Sequence, residues 1–236
     1  MCWSKNVSLL MAGIGMFFTY YSYKYINTLW SINIFYFVLM QLIHYFGYVY
    51  IDDCNNSMNK IVAYSNYIHV CFQPFFFLLG FYGLFKTYKI ITKQQLSNLY
   101  FIIKLTFIVG IFSLMRLIPI NFNSFKYELK ETGCVWCGKP CSFSGNRHVS
   151  FSVPLRNRPY YLTPGHYFHF MFFFIIFMMF NFKTLILSIL MYLSSLLPVI
   201  LYETTAAEGA ALWCGIVIIQ FIISFFYIFI LKKKKL

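Results

Sequence analysis

The chain has 236 residues, of which 60% are hydrophobic, 23% aromatic and only 11% charged, and its mean hydropathy is +0.68. A soluble domain carries about 25% charged residues, so a soluble fold, a disordered chain and a nucleic-acid-binding module are excluded as the main reading. The formal net charge of +13 then marks membrane orientation and a place for anionic lipid or phosphate, with no nucleic acid as partner.

Apolar runs long enough to cross a bilayer, at about 20 residues each, follow one another along the chain. They are Val7–Tyr23, Leu29–Ile51, Ile61–Phe85, Leu99–Ile120, His166–Phe182, Leu185–Leu201 and Ala210–Leu231. The first is the weakest, and Pro74 is expected to kink the third. None has the alternating pattern of a barrel strand, and helices satisfy every backbone group in lipid. The expected fold class is all-α: a polytopic transmembrane helical bundle with a six-helix core. Residues 29–236 form this membrane domain, and residues 1–28 are an N-terminal segment that is a further span, a signal-like segment or an interfacial helix.

Lysines set the orientation. Lys86, Lys89 and Lys93 lie between the third and fourth runs, Lys183 between the fifth and sixth, and Lys232, Lys233, Lys234 and Lys235 near the C-terminus. Counting spans, these fall on one side, which the positive-inside rule makes cytosolic. The lysines before Leu236 resemble a dilysine retrieval signal of the endoplasmic reticulum; ordinary basic anchoring is the alternative, and both give a cytosolic C-terminus. The opposite side then holds Asp52–Asn59, the loop at residues 121–165 and the Glu203–Gly209 turn.

That loop is too long for a simple link. It carries Cys134, Cys137 and Cys141, and Cys54 lies on the same side. Two disulfides of an oxidising lumen are the preferred reading. The rival is a metal site made by the same three loop cysteines with His148, which needs four well-spaced ligands. His44 and His69, inside spans, are read as packing or interhelical hydrogen bonds. Arg116 and Lys104 are read as snorkelling to the membrane faces or turning into the bundle.

Two stretches carry candidate chemistry. In Arg156-Asn157-Arg158-Pro159-Tyr160-Tyr161-Leu162-Thr163-Pro164-Gly165-His166, the arginines offer permanently charged forks to phosphate oxygens. Gly165 allows close backbone approach, the helix start supplies N–H groups, and His166 can transfer a proton or attack phosphorus. The bland alternative is a headgroup contact with a capping histidine. In Tyr202-Glu203-Thr204-Thr205, Glu203 sits at the same membrane face and either pairs with an arginine, takes a proton, holds a cation or is simply solvated.

These stretches, with Glu131-Thr132-Gly133-Cys134 before them, resemble the fat storage-inducing transmembrane (FIT) family of endoplasmic reticulum lipid proteins. The resemblance runs from about Asn56 to the C-terminus and rests mainly on the order of elements. It implies a lipid-phosphatase-like enzyme that cleaves the diphosphate of acyl-CoA, without cofactor or metal, and supports lipid-droplet formation. It also implies a two-histidine mechanism, one attacking phosphorus and the other serving the leaving group. His166 matches the first histidine, but Glu203 stands where the second belongs, and Pro164 replaces a serine. The implied catalytic pair is therefore His166 and Glu203, with Arg156, Arg158 and Gly165 binding phosphate and His148 a substitute second histidine. The alternative is a catalytically impaired protein that binds neutral lipid. The partners are acyl-CoA or neutral lipid and the membrane.

Overall fold

The described residues of this computed structural model are 4–118, 136–145 and 148–155, with 217, 218, 221–223 and 226. Four long helices dominate: α1 (Lys5–Tyr25), α2 (Thr28–Val49), α3 (Ser57–Tyr88) and α4 (Lys93–Met115). The last three are long and apolar enough to cross a membrane. Helix α1, 21 residues long, is less apolar, and its later turns expose Tyr20, Tyr21, Tyr23 and Tyr25.

Polar caps set the helix ends. The side chains of Ser4, Asn27 and Asn56 accept hydrogen bonds from backbone N–H groups of the first turns of α1, α2 and α3. Thr92 and Gln95 form a reciprocal capping box at the start of α4. Consequently α3 and α4 begin four and six residues before the apolar runs Ile61–Phe85 and Leu99–Ile120, and α4 stops at Met115. Helix α3 runs through Pro74 as one continuous α-helix, and its C-cap Lys89 takes a left-handed conformation (φ 50°).

Neighbouring helices in sequence pack against each other. A stripe of small residues on α1, including Ala12 and Gly15, meets α2, where a Cβ at Gly15 would overlap the Val38 side chain. Gly80 of α3 gives room to the Asn33 side chain of α2, and Gly110 of α4 lies against Cys71 and Phe72 of α3. Tyr67 donates to the Ser113 carbonyl at 2.9 Å, tying α3 to α4. The aromatic core is Trp30, Phe37, Phe77 and Phe81, onto which Phe221 packs with ring centroids 5.1 Å from Trp30 and 5.2 Å from Phe37.

The chain is mostly helical, but the all-α expectation needs one correction. Within the 121–165 loop, β1 (Cys141–Ser144) and β2 (Val149–Ser152) pair antiparallel, with Cys141 opposite Ser152 and Ser144 opposite Val149. Both strands read apolar-Ser-apolar-Ser, a period-two pattern that favours a strand. A disulfide joins Cys54, in the α2–α3 turn, to Cys141, with Cα atoms 4.9 Å apart. The hairpin and the α2–α3 turn thus lie at one end of the bundle, as the span count expected. Cys137 is disulfide-bonded too, and no group of three or more His, Cys, Asp or Glu among the described residues is placed to hold a metal ion. Cys141 is therefore a structural half-cystine, and the zinc alternative loses that ligand.

Candidate functional site in the bundle interior

Helix α2 presents Asn33, Phe37, Gln41 and His44 on one face, at intervals of four, four and three residues, and all are buried. Helix α3 buries Asn59, Asn66, His69 and Gln73. The two helices run antiparallel: Asn33 lies against Gly80, and Asn59 Nδ2 donates to the Tyr50 carbonyl at 2.6 Å. In that register His69 meets Tyr36 and Phe37 of α2. Polar side chains thus occupy successive levels of a seam inside an otherwise apolar bundle. Buried polar residues in a span are costly, and they mark function more often than buried apolar ones do.

Within the seam His69 is fully engaged. Its Nε2 donates to the Tyr36 carbonyl at 2.7 Å, and the Gln73 amide donates to Nδ1 at 3.3 Å. The Tyr36 hydroxyl in turn donates to the His69 carbonyl at 2.6 Å, and the two rings stack at 4.0 Å. This is the interhelical role expected for it. Four other side chains differ. Both polar atoms of Asn33 and of Gln41, both ring nitrogens of His44, and the Asn66 carbonyl oxygen have no hydrogen-bond partner among the described residues.

The hairpin closes the seam at the disulfide end. Asn59 receives the Ser142 N–H at 2.8 Å and donates to the Ser142 carbonyl at 2.7 Å, as a neighbouring strand would. Asp52, in a left-handed turn conformation (φ 64°), accepts from the Ser144 N–H at 2.8 Å and from its hydroxyl at 2.6 Å. Docked this way, the hairpin turn buries His148 against α2. The His148 and His44 rings lie 5.1 Å apart in an edge-on arrangement, and the Tyr48 ring is 5.7 Å from His148. His148 Nδ1 donates to the Val149 carbonyl at 3.1 Å, so the neutral ring keeps its basic lone pair on Nε2. Burial pushes the His148 pKa down to about 4, against a smaller opposing effect of the Val149 hydrogen bond. At neutral pH it is an uncharged base.

The site residues expected from sequence, Arg156, Arg158, Gly165, His166 and Glu203, lie outside the described residues. Of the remaining candidates, His148 is brought in against His44, a residue expected from sequence to serve packing or interhelical hydrogen bonds. The missed signal was the recurrence of Asn33, Gln41 and His44 on one helical face, matched by a second polar face on α3. Arg116, half-buried at the end of α4, directs its guanidinium toward Cys137 Sγ at 4.0 Å. Lys104 lies over the Tyr100 ring at 4.6 Å on an exposed face of α4.

A family model described as a family of unknown function (DUF5765) matches residues 6–234, nearly the whole chain. No curated protein and no solved structure matches it.

Proposed function

We propose that this chain, which belongs to the DUF5765 family, is a multi-pass membrane protein of the endoplasmic reticulum that hydrolyses the diphosphate of acyl-CoA-like lipids. In this reading a six-helix core, with α1 as an additional span, opens its site to the lumen and leaves the C-terminus cytosolic. The observation that carries the proposal is the pair of imidazoles at the disulfide-closed end, His148 against His44 at 5.1 Å. It supplies a second histidine where the motif order offers Glu203. The disulfide is consistent with an oxidising compartment on that side.

The chemistry follows from the residue types. Arg156 and Arg158 clamp the diphosphate, helped by the backbone at Gly165. His166 attacks one phosphorus, a P–N bond forms, and the bridging P–O bond breaks. Water then cleaves the P–N bond, giving acyl 4′-phosphopantetheine and adenosine 3′,5′-bisphosphate. Glu203 receives or returns the proton, and neutral His148 accepts one from the attacking water. With a pKa of about 4 the ring is unprotonated at neutral pH, so it can accept a proton, as a weak base, but cannot supply one as the acid. Purified protein given oleoyl-CoA is expected to release adenosine 3′,5′-bisphosphate, and His166→Ala to abolish release while the protein stays folded. No release above a mock preparation defeats the reading.

A second reading has its own observation. An apolar groove of about 760 Å³ runs along α1, lined by Leu9, Leu10, Gly13, Ile14, Phe17 and Phe18 with Asn6 at one end. It suits an acyl chain, and so a neutral-lipid-binding protein that organises lipid droplets without turnover. Saturable diacylglycerol binding that survives His166→Ala, with no nucleotide released, supports this reading; absence of binding removes it.

A further inference from the structure

The orphaned side chains of the seam share one chemistry. Asn33, Gln41 and Asn66 are carboxamides and His44 is an imidazole; each is at most 1% exposed, and none has a hydrogen-bond partner for the atoms named above among the described residues. The two carboxamides left wholly unpaired, Asn33 and Gln41, each offer donors and an acceptor, and an imidazole such as His44's presents two ring nitrogens to hydrogen-bond. Buried polar groups left without any partner are destabilising. A ligand that satisfies them must both donate and accept, carry no charge, and be small enough to sit beside fully buried Phe37 and Met40. Water has these properties.

The spacing argues for several waters and not one. Asn33 and His44 are eleven residues apart on α2, about 16 Å along the helix axis at about 1.5 Å per residue. That is more than half of a hydrocarbon core about 30 Å thick. Between them Gln41 contributes from α2, while fully buried Phe37 separates it from Asn33, and His69 and Gln73 of α3 are already bonded. Tyr36 already fixes His69, so its ring borders the row without needing it.

We infer that the α2–α3 seam is hydrated within the membrane: bound water sits at His44, Gln41 and Asn66 and again at Asn33, on either side of Phe37. These waters share His44 with the imidazole pair of the proposed site, but Asn33, Gln41 and Asn66 take no part in the mechanism above, and the test below reads hydration without turnover.

The test is hydroxyl-radical footprinting of the full-length protein in lipid nanodiscs, with microsecond irradiation in ¹⁸O-labelled water. Radicals generated from bound water label the side chains beside it. Phe37, fully buried, is expected to acquire ¹⁸O at a rate comparable to exposed Tyr25. In Gln41→Leu/His44→Leu the Phe37 label is expected to fall at least five-fold while Tyr25 labelling is unchanged. An unlabelled Phe37 in the native protein, with Tyr25 labelled, overturns the inference whether or not the variant inserts. Equal Phe37 labelling in native and variant proteins overturns it as well. Asn66→Leu gives a second, single-site check with the same expected direction.

Discussion

Helices α3 and α4 have nearly the same hydropathy, and both are long enough to span a bilayer, yet they occupy different environments. In α3, 67% of the most apolar window is buried, against 22% in α4. Helix α3 sends Asn59, Asn66, His69 and Gln73 into the bundle; α4 buries only Leu99, Ile103, Thr106 and Gly110, and turns Phe101, Phe107, Ile108, Ile111 and Phe112 outward. Hydropathy therefore selects the helices that belong in lipid, and the placement of polar side chains tells which of them faces the protein. In lipid there is little hydrophobic drive between helices, so small residues and interhelical hydrogen bonds distinguish an inner helix from an outer one.

The largest effect that separates these regions should come from the disulfide. It closes a segment with a sequence separation of 87, which restrains the hairpin by roughly 4–5 kcal/mol on chain-entropy grounds. In Cys54→Ser/Cys141→Ser, amide exchange in residues 141–152 is expected to accelerate by orders of magnitude, while amides of α4 keep their native rates. Unchanged hairpin protection would show that Asn59 and Asp52 suffice to dock it.

Acid should act on the same region more weakly. His148 is held neutral by burial, with a folded pKa of about 4 against 6.5 for an exposed histidine. Its folded pKa is depressed, so the docked hairpin keeps its full stability above pH 6.5. Below that the undocked state takes up a proton that the docked state refuses, and stability is lost as pH falls from 6.5 to 4. The loss approaches about 3 kcal/mol. Amide exchange of β1 and β2 measured across that range should follow this course, and His148→Phe should flatten it.

Smaller again are the helix contacts. Gly80→Ala places a Cβ into the Asn33 carboxamide, and overpacking of this kind costs about 1–3 kcal/mol. Thermal unfolding should recover most of that loss in Gly80→Ala/Asn33→Ala. Gly13→Ala, where a Cβ meets nothing within 4 Å, should leave the melting temperature unchanged or slightly raised. The smallest change is expected on the outer face of α4: Ile111→Ala, 42% exposed, should shift stability by no more than about 0.5 kcal/mol. A loss at Ile111 as large as that at Gly80 would remove the distinction between inner and outer helix.

Much of the helical frame was legible in the chain. The apolar runs locate α1 to α4, and the shared side of the α2–α3 turn and the cysteine loop follows from counting spans. The ends were less legible, because capping by Asn27, Asn56 and Thr92 extends helices past the point where hydropathy fades. The hairpin was hidden by its length: four-residue strands give only two turns of alternation, and a long-range disulfide, not local propensity, fixes them. Among the site residues, His148 was readable as a candidate but its partner was not. A single histidine in an apolar helix reads as core, and only the pairing of two polar faces across α2 and α3 makes His44 part of a site. Arg156, Arg158, Gly165, His166 and Glu203 lie outside the described residues, so their case rests on motif order alone.

Exchange of the imidazole C2 hydrogen, followed by mass spectrometry on the oxidised protein in nanodiscs, tests the docked hairpin most directly. The account predicts that His148 and His44 both exchange many-fold more slowly than a solvent-exposed histidine, and that Cys54→Ser/Cys141→Ser speeds both while leaving His69 slow. Exchange of His148 at the solvent rate in the oxidised protein would contradict it, because the imidazole pair would then not exist.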